Sequence, residues 1–210
     1  KWFHVSGITP ALSASAATLT AEALQAAKKA GLQTSYDLNY RSKLWTDKEA
    51  QACQEPLMEH VDVLITTEED TKVVFKITAG EAQDDKFAQV SADSYKTVAR
   101  KLQEKFNFKI VAITLRENPS VWKNNWTAIA YSDRQIYEAK SYEVEIVDRV
   151  GAGDSFSGGF IYGYLNGWDW YKCCRMGNAC GAILVTKPGC SNFNPTLEEA
   201  MAFIDLKGGF

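Results

Sequence analysis

Val147-Asp148-Arg149-Val150-Gly151-Ala152-Gly153-Asp154-Ser155-Phe156-Ser157-Gly158-Gly159-Phe160 is the stretch on which the reading of this chain turns. A β-branched run ends, glycines at 151 and 153 make a turn, and a helix of small and aromatic residues begins. Free backbone N–H groups and the positive end of the helix dipole therefore converge on one spot, and such a spot holds an anion. No lysine follows in the G-x-x-x-x-G-K-[ST] pattern, and Phe156 stands where G-x-G-x-x-G needs its third glycine, so neither a Walker loop nor a dinucleotide fingerprint fits. Asp154 stands at the anion-facing start of the helix instead. A carboxylate there repels a phosphate unless it has a task, and accepting the proton of an attacking hydroxyl is such a task. An aspartate that merely caps its own helix is the competing reading.

Outward from this stretch, short apolar runs alternate with helix-length amphipathic segments, the pattern of a layered α/β domain with a largely parallel sheet. Strands are expected at Trp2 to Val5, Gln33 to Leu38, Val61 to Ile65 and Lys109 to Leu115. Helices are expected at Thr18 through Ala30, stopped by Gly31, and from Thr46-Asp47-Lys48-Glu49, a capping box, towards His60 with an interruption at Pro56. The acidic run Glu68-Glu69-Asp70 suits the positive end of a helix continuing to Phe75. Gly80 to Val90 reads as a polar surface loop and Ala92 to Phe106 as a helix. Trp126 to Tyr131, Gln135 to Ala139 and Glu143 to Val147 read as short antiparallel edge strands. Helices are expected again at Gly153 to Leu165, from Asp169 to near Lys187 before Pro188-Gly189, and at Thr196 to Ile204. No repeat or linker is visible, so residues 1–210 read as one domain.

The chain holds 26 acidic and 23 basic side chains, a formal charge of −3, which argues against a nucleic-acid partner because a phosphate backbone calls for a basic face. No stretch approaches the roughly 18 uninterrupted apolar residues of a membrane span, so no membrane partner is expected. The five cysteines, Cys53, Cys173, Cys174, Cys180 and Cys190, include no C-x-x-C pair and read as free thiols of a reducing compartment, the cytoplasm. No secretory signal is visible. The opening run Trp2-Phe3-His4-Val5 reads as an interior strand, so further chain is expected upstream.

The decisive stretch resembles the second signature of the ribokinase-like (PfkB) sugar kinases, D-T-x-G-A-G-D followed by an aromatic and paired small residues, with Arg149 where that family usually has a threonine. The resemblance extends through Val5-Ser6-Gly7-Ile8-x-x-Ala11-Leu12, Asp37-x-Asn39-Tyr40-Arg41-x-x-Leu44-Trp45, Thr66-Thr67-Glu68-Glu69-Asp70-Thr71 and Gly177-Asn178-Ala179-x-Gly181-Ala182. Together these are similar to the 2-keto-3-deoxygluconate kinase branch. Members are generally half as long again, and this chain resembles their C-terminal two thirds. The resemblance implies an α/β fold, the ribokinase-like three-layer αβα sandwich with a largely parallel sheet, here with the N-terminal strands and lid absent. It also implies an ATP-dependent sugar kinase using Mg²⁺, with a small sugar acid as partner, and lids that pair into homodimers in many members. A kinase for fructose, ribose or a nucleoside, or a non-catalytic nucleotide-binding domain or fragment, are the alternatives.

The same resemblance implies roles for particular residues. Asp154 would take the proton from the sugar's primary hydroxyl as it attacks the γ-phosphorus, while the amides of Gly151, Ala152, Gly153 and Asp154 stabilise the transferring group. Arg41 would bridge substrate and nucleotide phosphate, a task that suits a guanidinium fork, with Asn39 beside it on the nucleotide; a surface loop arginine is the plain alternative. Ile8 would line the sugar pocket or simply pack. Thr67 and Asp70 fall where the wider family has the ends of an N-x-x-E motif that organises Mg²⁺, although a helix cap explains Thr67 equally well. Asp148 is the residue near which a monovalent cation would sit. Thr114 and Asn178 would contact the nucleotide, Asn178 being otherwise a solvated helix position. Cys190 stands where several relatives have an aspartate that touches the sugar. Trp45, Trp122, Trp126 and Trp168 are scattered and suit core or edge packing, and His4 and His60 read as structural.

Overall fold

The computed structural model describes residues 1–80, 92–117, 122–189 and 194–210. Trp2–Ser6 (β1), Gln33–Asp37 (β2), Val63–Thr66 (β3) and Ile110–Glu117 (β4) are strands, and β1 pairs with β2, β2 with β3 and β3 with β4, all parallel. Helices connect them: Ile8–Ala11 (α1) and Ala14–Lys29 (α2), then Asp47–Leu57 (α3), then Glu68–Phe75 (α4) and Ala92–Phe106 (α5). β3 reads Val-Leu-Ile-Thr and is buried at every position, because an interior parallel strand is covered on both faces. This is the expected α/β pattern with boundaries moved by one to four residues. α2 starts at Ala14 rather than Thr18, because the Ser13 hydroxyl accepts the Ala16 N–H at 3.1 Å and caps the helix earlier. Pro56 does not interrupt α3. It lies in the last turn, where the helix tightens into a 3₁₀ turn, Met58–His60, through the Met58 N–H on the Glu55 carbonyl. The loop expected at Gly80 to Val90 lies almost wholly outside the described residues.

The chain divides into two compact units, Lys1–Ile113 with Tyr131–Ile136, and Thr114–Ala130 with Tyr137–Phe210. The first is organised at the N-terminal edge of its strands by Asp62, which is 5% exposed. Its carboxylate accepts from Lys28 Nζ at 2.8 Å, from the Thr34 N–H and hydroxyl at 3.0 Å each, and pairs with Lys109 Nζ at 3.1 Å. Its carbonyl accepts the Lys109 N–H at 2.8 Å. One residue thereby ties α2, β2, the entry to β3 and the entry to β4. Burial pushes this carboxyl up, but the hydrogen bonds from Lys28, Thr34 and Lys109 outweigh it and hold the group below the usual carboxylate range.

In the second unit, Lys123–Ser132 (β5) carries Tyr142–Glu145 (β7) antiparallel, from Lys123 opposite Glu145 to Trp126 opposite Tyr142, as the β-branched and aromatic runs predict. Gln135–Glu138 (β6) follows β5 through Asp133 and Arg134, both at positive φ, the geometry of a tight hairpin turn, and this turn is counted with the first unit. Ala152–Leu165 (α6), Trp170–Leu184 (α7) and Leu197–Leu206 (α8) complete the second unit. Trp126, Tyr142, Ala152, Met176, Ile183 and Ile204 meet in its core. α6 lies close against α7, and a Cβ at Gly159 would stand 2.9 Å from the Met176 carbonyl oxygen, so only glycine allows that approach. No helix among the described residues is long and apolar enough to cross a membrane.

Replacing Asp62 by asparagine keeps its shape and removes its charge. A carboxyl held low in the fold contributes stability above its unfolded pKa near 3.9 and loses it as pH falls through the folded value. Asp62→Asn is therefore expected to cost about 1–3 kcal/mol at pH 7 in urea unfolding, with the difference from the parent shrinking below pH 4.

Candidate active site

The segment before α6 is pinned by its backbone. The Val147 and Asp148 N–H groups both donate to the Val185 carbonyl, at 2.8 and 3.2 Å, at the C-terminal end of α7. Asp148 then turns its carboxylate back on the chain: Oδ1 accepts the Val150 N–H at 3.0 Å and Oδ2 the Gly189 N–H at 3.2 Å. These amide contacts, led by Val150, hold its carboxyl below the usual range. Gly151 follows at φ +86° as the cap of α6, a left-handed conformation that glycine adopts without strain. Its carbonyl accepts the Ser155 N–H at 2.9 Å, which leaves the N–H groups of Ala152, Gly153 and Asp154 with no carbonyl a turn behind them. Asp154 lies in this first turn with its side chain exposed, and no side chain caps the helix. The glycine at 151 makes the turn that its spacing predicts, and the exposed Asp154 shares the first helical turn with these N–H groups.

In the first unit the C-terminal ends of β1, β2 and β3 lie side by side, the edge where parallel sheets place ligands. The Gly7 N–H donates to the Asp37 carbonyl at 2.7 Å, and Ser6 Oγ accepts both the Asn39 side-chain amide at 3.0 Å and the Ile8 N–H at 3.3 Å. Asn39 sits at φ +40°. Ile8, partly exposed, opens α1 beside it. Thr67 caps α4 by accepting the Asp70 N–H at 3.1 Å, so the capping role of that threonine is real. Asp70 is largely shielded from water, and desolvation pushes its carboxyl up to about 6, opposed by Thr67, by the charge of Arg41 and by the Tyr40 N–H. Arg41 itself is exposed and donates to the Tyr40 carbonyl at 3.0 Å. The structure thus brings Ile8 and Asn39 together around Ser6, and Arg41, Thr67 and Asp70 around the turn after β2. The parts played by Ser6 and by the Tyr40 backbone have no local signature, since a serine ending a strand looks like any other.

Two expected nucleotide contacts are buried. Thr114 is 6% exposed on β4. Asn178 is not a solvated helix position: it has no exposure at all, and its side-chain nitrogen donates to the Lys140 carbonyl at 2.8 Å and the Trp126 carbonyl at 3.4 Å. In this geometry its amide ties α7 to the strands, and α7 carries it on a face that is buried throughout. Among the tryptophans, Trp126 is core and Trp168 packs against that core, but Trp122 is 72% exposed beside a surface hollow it shares with Ile146, Val147, Asp148 and Arg149. Cys190 lies outside the described residues; Cys53, Cys173, Cys174 and Cys180 are free thiols.

A parallel strand array with connecting helices, and a glycine-capped helix start with an exposed carboxylate, place the chain among the α/β proteins. The chain matches the pfkB family carbohydrate kinases over residues 1–197 and belongs to that family. It is 34% identical over 187 residues to the 2-dehydro-3-deoxygalactonokinase of Haloferax volcanii, covering 89% of this chain and 52% of that protein. It is 32% identical over 184 residues to the 5-dehydro-2-deoxygluconokinase of Geobacillus thermodenitrificans, covering 87% and 49%. The structure of the Thermotoga maritima 2-dehydro-3-deoxygluconokinase superposes with a TM-score of 0.89 and 40% identity, covering 97% of this chain and 59% of that one. A structure of a ribokinase II from E. coli superposes at 0.76 with 25% identity. The fold is therefore ribokinase-like, and the chain spans about half the length of the curated relatives it matches.

A carboxyl raised by the fold penalises folding once it ionises, an effect absent below about pH 4, where folded and unfolded chains are both protonated, and complete above about 6. Asp70→Asn removes that penalty. In the presence of EDTA its thermal midpoint is expected to exceed that of the parent at pH 8 and to match it near pH 4.

Proposed function

We propose that this chain carries the phosphoryl-transfer region of an ATP- and Mg²⁺-dependent sugar-acid kinase that phosphorylates the primary hydroxyl of 2-keto-3-deoxygluconate, with Asp154 as the base. The observation that carries this reading is the Gly151 turn, where three N–H groups without helical partners and an exposed carboxylate share one helix start. Phosphoryl transfer asks mainly for positioning and for charge stabilisation, and these N–H groups supply the second while Asp154 accepts the hydroxyl proton. Arg41 supplies a cationic fork for phosphate or for the acid group of the sugar. The names of the relatives support a keto-deoxy sugar acid as substrate. They also favour a second reading within the same chemistry, a kinase for 2-dehydro-3-deoxygalactonate or 5-dehydro-2-deoxygluconate.

The residues present suit the nucleotide's metal. Among the described residues no group of three or more metal-binding side chains is gathered, and Mg²⁺ in phosphoryl transfer takes one or two carboxylates together with phosphates and water. Asp70 is a desolvated carboxyl whose ionisation a nearby cation favours, and the Thr67 hydroxyl is a hard oxygen beside it. Mg²⁺, when bound, would neutralise charge on the nucleotide phosphates. Among the described residues four cysteines are free thiols, three of them buried, which suits the reducing environment of a cytoplasmic enzyme.

Coupled ATP turnover with the three keto-deoxy acids, fructose and ribose tests the substrate: fastest turnover on 2-keto-3-deoxygluconate is expected, and none on any of the acids would overturn the reading. Asp154→Asn is expected to lose about 10²–10⁴-fold in kcat with an unchanged circular dichroism spectrum. Retained turnover would remove Asp154 from the role of base.

A further inference from the structure

Gly7, the cap of α1, has φ −64°, an angle open to any residue, so backbone conformation is not what calls for glycine there. Close approach is. A Cβ at this position would stand 2.2 Å from the Leu38 carbonyl oxygen and 2.6 Å from Oε1 of Gln54. Gln54 lies on α3 in a buried stripe whose other members, Ala50 and Leu57, are apolar. Its side chain has no exposure, and neither Oε1 nor Nε2 meets a hydrogen-bond partner among the described residues. An amide buried in that state lowers stability, and a methionine or leucine in the same stripe would avoid the loss. The Tyr36 hydroxyl is a second buried group without such a partner. It is on the face of β2 that Leu38 shares, and within electrostatic reach of Cys53, the neighbour of Gln54.

We propose that Gln54 is a positioning residue that binds a buried water between its Oε1 and the Leu38 carbonyl, and through that water fixes Gly7 and the start of α1 at the ligand edge. The chemistry of the site selects its ligand. Two acceptor oxygens approach the one Cα that carries no side chain, and a methyl group there would fill the place between them. The ligand that suits such a pair is small and donates two hydrogens, which is what a water does. A water shared in this way holds two segments nearly as well as a direct hydrogen bond. From the side of the strands the same turn is held by the Gly7 N–H on the Asp37 carbonyl at 2.7 Å and by the Ile8 N–H on Ser6 Oγ at 3.3 Å. From the side of α3 the water completes the brace, so that Ile8 keeps its place. The consequence for sugar binding rests on the kinase reading; the water site does not.

The test pairs a crystal structure of the parent protein with the stability and kinetics of Gln54→Met and Gln54→Leu. The crystal structure is expected to show a water at about 2.7–3.2 Å from both Gln54 Oε1 and the Leu38 carbonyl oxygen. Both variants are expected to unfold at a lower urea concentration than the parent, because the Leu38 carbonyl loses its donor. They are also expected to raise KM for 2-keto-3-deoxygluconate at least about fivefold while kcat and KM for ATP stay within about twofold, the pattern of lost ground-state binding. No water at that place, or density there that Rb⁺ fills, would overturn the site. So would a urea midpoint of Gln54→Met above that of the parent, the mark of an amide that is merely buried. A water in place with KM unchanged in both variants would overturn the positioning role. If the parent protein transfers no phosphoryl group to any sugar, the kinase reading fails instead, and the crystal structure and urea midpoints alone decide the water site.

Discussion

The left-handed turn at Gly151 is the constraint on which the candidate site depends. A residue with a Cβ resists φ +86°, and that angle carries the chain from a segment pinned on the end of α7 into the first turn of α6. The start of α6 follows from this one conformation, with the N–H groups of its first turn and the exposed Asp154 side by side. The packing behind it is equally specific, since α6 can rest on α7 only where Gly159 lets the Met176 carbonyl come near.

The first unit reaches a comparable end by a different construction. Its parallel strands carry their helices in sequence order, so the loops after β1, β2 and β3 emerge on one edge. At the opposite edge the buried carboxylate of Asp62 gathers the starts of the strands, and at the ligand edge a second shielded carboxyl, Asp70, has weaker compensation and is pushed up to about 6. The contrast is instructive. Both groups lose solvent, but Asp62 is met by two lysines and a threonine that donates twice, whereas Asp70 meets a capping hydroxyl, one backbone N–H and a more distant guanidinium. The first group adds to stability as a carboxylate, whereas the second keeps an uncompensated desolvation cost.

Much of this was legible in the chain. α5 falls at Ala92–Phe106 and the capping box at Thr46 to Glu49 is formed as its spacing requires, because both signals are local: amphipathic period in the first and a side chain reaching its own backbone in the second. The glycine turn before α6 was legible for the same reason, since glycine placement and a helix start lie within eight residues. Where reading by pattern misjudged a helix end, the deciding contact was local but carried by one side chain or one backbone bond rather than by the periodic pattern. Ser13 extends α2 by a turn that the alanine-rich run does not announce. Pro56 is absorbed in the last turn of α3 because the 3₁₀ geometry after it needs fewer helical bonds.

Asn178 shows the limit most clearly, for its polar side chain suggests a wet helix face until the strands at Trp126 and the Lys140 carbonyl are seen against it. Asp148 is similar: within its signature it is one more acidic residue, and its second partner, Gly189, lies forty-one residues away. By itself the sequence determined the alternation of strands and helices, the family, and the glycine turn that opens α6, because hydrophobic period, glycine conformation and helix capping all act over a few residues. Only the tertiary structure decided which carboxylates are hydrogen-bonded, compensated or left desolvated, because burial and hydrogen-bond partners are set by segments that meet through folding rather than along the chain.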